Sequence, residues 1–134
     1  MKHLPLCSVW KESVLLLPLI LFTSCGSSQQ FVAIPPDLDR ENAPHQNIEM
    51  TAEDYHFTPD VIHVKVGTLV TLKVTSTDGT HGLKLGDFGL DETIEEGQTK
   101  VMEFYAARKG EYGFKCSHFC GIGHFGMNGK LIVE

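Results

Sequence analysis

Two cysteines, two histidines and a methionine crowd into CSHFCGIGHFGM, residues 116 to 127, among three glycines. Cys116 and Cys120 stand four apart, and His124 and Met127 follow at intervals of four and three. Thiolate, imidazole and thioether are soft donors, and this mixture favours copper over zinc or iron. Two cysteines on their own in an exported chain would more often form a disulfide. A zinc site of two cysteines and two histidines is chemically possible, but it leaves Met127 without a role, and an isolated methionine is otherwise core filling. Gly121, Gly123 and Gly126 allow a loop tight enough to return Cys120, His124 and Met127 to the Cys116 sulfur. A further imidazole is needed. His81, in STDGTHGLKL, is the best candidate, because it follows a turn and precedes a strand that can lie beside the loop. His45, His56, His63 and the ring of His118 read as solvated surface groups.

These donors have to be held by strands. In VIHVKVG the apolar Ile62, Val64 and Val66 alternate with polar residues, and in TLVTLKVTS Val70, Leu72 and Val74 alternate with Thr71, Lys73 and Thr75. Period two over such short runs predicts half-buried strands. Asp78-Gly79 signals a turn, Leu83 and Leu85 a short strand, and Glu96-Gly97 another reversal. Met102, Phe104 and Ala106 are expected to face inward on the next strand, and Tyr112, Phe114 and Cys116 to share a face in EYGFKC. GKLIVE supplies a last strand with Leu131 and Val133 inward. The reading is all-β, a sandwich or barrel of seven or eight strands beginning near Asn47, with residues 116 to 127 joining the last two. Cys116 then ends a strand, with its sulfur at one pole of the sandwich.

The first 24 residues do not belong to that domain. Lys2 and Lys11 precede an apolar run from Val14 to Phe22, which stops at Thr23 and Ser24 before Cys25. That is the layout of an export signal, and the run is short of the ~20 apolar residues of a membrane-spanning helix. LFTSC resembles a bacterial lipobox, with Phe22 where leucine is usual, and implies a lipidated Cys25. Residues 25 to 46 are rich in Ser, Gln, Pro and Asp, and read as a flexible tether. The 134-residue chain carries a net charge of −6, and loss of the signal makes it one charge more acidic, which excludes a nucleic-acid binder.

Residues 47 to 134 resemble the cupredoxin domain of cytochrome c oxidase subunit II, especially its shorter ba3-type bacterial relatives. The resemblance rests on THG at 80 to 82, KGEY at 109 to 112 and C-x3-C-x3-H-x2-M at 116 to 127. That last pattern with an upstream His-Gly marks the binuclear CuA centre, which nitrous oxide reductase shares in its C-terminal domain. The resemblance implies a Greek-key cupredoxin fold holding two copper ions. Cys116 and Cys120 would bridge both metals, His81 and His124 would bind one each, and Met127 and the backbone carbonyl of His118 would be weak outer ligands. Subunit II has membrane-spanning helices, whereas none is read in this sequence.

The implied function is a lipid-anchored electron-transfer protein on the outer, periplasmic side of a bacterial membrane. Its expected partners are a c-type cytochrome or other periplasmic donor and, as for a peripheral subunit II, oxidase subunit I. The acidic run Asp87, Asp91, Glu92, Glu95 and Glu96 is a candidate docking surface, with a solvated loop as the plainer reading. The alternative function is a chaperone delivering copper to another CuA site. An enzyme reading is weakest, since nitrous oxide reduction needs a second copper cluster that a domain of this size cannot house.

Overall fold

A computed structural model describes residues 31 to 134; the expected export signal, Cys25 and the first part of the expected tether lie outside the described residues. Among the described residues nine strands form two mixed sheets. The first sheet contains β1 (His45–Glu53), β2 (His56–Thr58), β4 (Leu69–Ser76) and β7 (Thr99–Tyr105), in the order β2-β1-β4-β7. The second contains β3 (Val61–Val64), β5 (His81–Leu85), β6 (Leu90–Ile94), β8 (Gly110–Lys115) and β9 (Asn128–Val133), in the order β3-β9-β8-β5-β6. The chain changes sheet at β2 to β3, β3 to β4, β4 to β5, β6 to β7 and β7 to β8, an interleaving that gives the Greek-key sandwich its cohesion. β1 runs parallel to β4, and β3 parallel to β9.

Alternation fixes which residues fill the space between the sheets. Ile62 and Val64, Val70, Leu72 and Val74, Leu83 and Leu85, Met102, Phe104 and Ala106, and Leu131 and Val133 are all buried as their period predicts. Two aromatic contacts tie the halves of the core together: Phe57 meets Phe114 edge-on at 5.5 Å, and Phe88 meets Phe104 at 4.8 Å. Val66 departs from the expected face. β3 ends at Val64, so Val66 sits in the turn at Gly67 and is exposed. The strand count also exceeds the expected seven or eight, because the three-residue β2 is too short to show a period of its own.

The described residues ahead of β1, 31 to 44, form no strand or helix, yet they touch the domain. Val32 is buried, and its N–H donates to the Asp87 carbonyl at 2.7 Å. Arg40 pairs with Glu103 on the outer face of β7. The described part of the tether region is therefore laid along the sandwich.

Candidate metal centre

β5 begins at His81, β8 ends at Lys115 and β9 begins at Asn128, so three strand ends meet at one pole. Lys84 on β5 faces Lys115 on β8, and Lys115 faces Asn128 on β9, which brings His81 beside the loop that leaves β8. The Cys116 N–H donates to the Met127 carbonyl at 2.9 Å, closing the base of that loop. The twelve residues of the motif thus form one β-connection with both ends fixed.

Inside it the donors converge. The Cys116 and Cys120 sulfurs are free and 3.7 Å apart. Cys120 Sγ lies 3.7 Å from His124 Nδ1 and 4.0 Å from Met127 Sδ. The Cys116 sulfur is 3.1 Å from the His118 carbonyl oxygen, while the His118 side chain is exposed. His81, Cys116 and Cys120 each present a ligand atom within 4.8 Å of the other two. All six residues singled out in the sequence therefore gather at this pole, with His124 reaching the cluster through Cys120. Cys116, Met127 and His81 are buried, and Cys120 and His124 are half-buried. Burial, and then the adjoining Cys116 sulfur, push the Cys120 thiol up to about 11.

One buried atom has no partner. Among the described residues, His81 Nδ1 is the buried side-chain nitrogen or oxygen that makes no hydrogen bond. Leaving such an atom unsatisfied costs ~1–3 kcal/mol, so a structure that tolerates it has a use for the lone pair. Two thiols, a thioether, a carbonyl and two imidazoles, one of them with this bare buried nitrogen, form a donor set suited to a soft transition metal.

Three further residues shape the pole, and of these the sequence pattern includes only Gly82, in the His-Gly of THG. Gly82 donates its N–H to Cys116 Sγ at 3.4 Å, and a Cβ there would lie 2.4 Å from Ser117 Oγ and 2.6 Å from the His118 nitrogen. Tyr55 lies under the loop, where a Cβ on Gly123 would come within 2.4 Å of its ring and one on Gly121 within 2.7 Å of its hydroxyl. Gly126 has nothing nearby, so the ring of Tyr55 accounts for only two of the three loop glycines. Asp78 stands behind His81 at 3.1 Å; the Asp54 N–H in the first place, and His81 besides, hold its carboxyl below the usual range. Asp78 left a local trace as a turn residue before Gly79, and Gly82 as part of THG, whereas Tyr55 left none. The loop's rim is apolar: Phe119, Ile122 and Phe125 are exposed, and the rings of Phe119 and Phe125 flank His124 at 5.5 and 5.3 Å.

The sequence profile of the cupredoxin-like domain matches residues 14 to 133. This chain belongs to the cupredoxin-like family. Among its relatives is cytochrome c oxidase subunit 2 of Thermus thermophilus, 27% identical over 95 residues. That match covers 70% of this cupredoxin-like chain and 70% of one form of the relative, but 56% of another. A chain of a heme-copper terminal oxidase dimer superposes with a TM-score of 0.65 at 28% identity, over 72% of this chain and 69% of that one. The periplasmic domain of cytochrome oxidase subunit II from Bradyrhizobium japonicum shares the fold, with a TM-score of 0.61 at 21% identity over 66% of this chain and 83% of that one. This cupredoxin-like domain is thus homologous to oxidase subunit II domains. Among the described residues no helix is long and apolar enough to cross a membrane.

Proposed function

We propose that this cupredoxin-like protein is a lipid-anchored electron-transfer protein with a binuclear copper centre of the CuA type, working on the outer side of a bacterial membrane. The observation that carries the reading is the pair of free thiols 3.7 Å apart, ringed by His124, Met127, the His118 carbonyl and His81. Cys116 and Cys120 would hold both ions, His81 and His124 one each, with Met127 and the His118 carbonyl as weaker ligands. When bound, such a pair shares one unpaired electron over two metals, so that gain or loss of the electron changes the geometry little. The chain supplies the rest. Strand ends fix His81 and Cys116, burial keeps water from the Cys116 and Met127 sulfurs, and the complete donor set leaves no position open for a substrate.

The same completeness weighs against a copper carrier, which works by releasing metal from an incomplete, exposed set. Loaded protein should keep its copper against moderate chelator competition and be reduced rapidly by a c-type cytochrome. Ready transfer of metal to a metal-free acceptor, with slow electron exchange, would establish the carrier instead. Oxidase subunit I is the proposed downstream partner. Anchoring rests on LFTSC and the polar residues that follow. Cells making Cys25→Ser should release the protein from the membrane fraction or retain it uncleaved, whereas a wild-type protein already free of membranes would rule the anchor out.

A further inference from the structure

The carboxylate of Asp78 has two contacts, and both lead to the metal pole. Oδ1 lies 3.1 Å from His81 Nε2, and Oδ2 accepts the backbone N–H of Asp54 at 3.0 Å. A neutral imidazole carries a single N–H. With a carboxylate at Nε2 the proton belongs there, which leaves Nδ1 as a bare lone pair, and Nδ1 is the buried nitrogen that has no partner. The two observations are independent and agree: one side of the ring is held, and the other is kept empty. We infer that Asp78 is a positioning residue for the metal centre, fixing both the tautomer and the orientation of His81 so that Nδ1 is its donor atom. This inference rests on the reading of residues 81 to 127 as a metal site.

The grip on Asp78 comes from the turn between β1 and β2. Asp54 and Tyr55 both adopt positive φ, 48° and 64°, a conformation that costs a non-glycine residue ~1–3 kcal/mol and persists where the surroundings impose it. One of these residues gives its N–H to Asp78, and the other slides its ring under Gly121 and Gly123. A single two-residue turn therefore braces both halves of the centre, His81 through Asp78 and the Cys120 loop through Tyr55. A carboxylate behind a ligating histidine makes the ring a better electron donor, and loss of such partners typically weakens metal binding ~10–100-fold. The more highly charged state of the metal gains most from that donation, so the potential should rise when the carboxylate is lost, by ~59 mV for each tenfold difference in loss between the oxidised and reduced states.

The test uses full-length protein, Asp78→Ala and Asp78→Asn, the last keeping an oxygen that can accept from His81 while removing the charge. In metal-free protein, at a pH where the ring is neutral, nitrogen NMR should find the His81 proton on Nε2 in the wild type and in Asp78→Asn, but distributed over both nitrogens in Asp78→Ala. With copper, Asp78→Ala should bind ~10–100-fold more weakly and shift the potential upward, and Asp78→Asn should fall between it and the wild type. A wild-type proton on Nδ1, or an alanine variant with unchanged tautomer, affinity and potential, would overturn the inference. If the wild type takes up no copper, the metal reading fails by itself, and the tautomer measurement still decides what Asp78 does. Should Asp78→Ala not fold, the Asn variant decides alone: a wild-type potential in it would overturn the role of the charge.

Discussion

Replacing His118 with alanine should leave copper content and spectrum nearly unchanged, because the residue turns its carbonyl to the Cys116 sulfur while its ring is exposed. His124→Ala removes an imidazole 3.7 Å from Cys120 and should lose copper or break the sharing of the electron; metal analysis and spin resonance of the two variants side by side check this, and equal damage at both would mean a wrong ligand assignment. Gly82→Ala drives a methyl against Ser117 and the His118 backbone, and should cost ~1–3 kcal/mol in a thermal melt of the metal-free protein. The Cys120 thiol, raised to about 11, is protonated at neutral pH and must release its proton to bind metal. Copper affinity should therefore fall as pH falls, and titration in weak buffer should show protons released. The donors at 116 to 127 were legible because their spacing is local, and His81 because a turn and a strand flank it. Gly82 was legible only as the glycine of the His-Gly pattern and Tyr55 not at all, since each acts across the fold on a loop distant in sequence, and no periodicity records such a contact.

The loop between β8 and β9 works as a unit because it is closed at its base and propped from beneath by Tyr55. Gly123→Ala should destabilise the domain by pressing a methyl into that ring, and adding Tyr55→Ala should recover part of the loss. Melting of the two single variants and the double variant tests the coupling, and simple additivity would mean that the ring does not support the loop. Strands β3, β4, β5, β7, β8 and β9 could be read in advance because each buries one face, so that alternation survives in the sequence. The parallel pairings of β1 with β4 and of β3 with β9 left no such trace. Pairing partners are chosen by how the two sheets close on each other, and alternation reports which face is buried without saying which neighbour covers it.

At the scale of the molecule, two sheets packed on one core hold the pole, and the described segment ahead of β1 is laid along the sandwich by Val32 and Arg40. Val32→Ala removes buried apolar surface where that segment meets Asp87, and should cost ~1–2 kcal/mol while leaving the copper centre as it was. Melting curves and a copper spectrum together check this, and a change in the spectrum would show that the segment reaches the pole. The central claim is that the pole holds two coppers which share an electron. Copper and protein should be quantified on reduced, copper-loaded and then oxidised protein, and its spin resonance spectrum recorded on the same sample. The account predicts two ions per chain and the pattern of one electron spread over two copper nuclei. One ion per chain with the pattern of a single copper nucleus would contradict it.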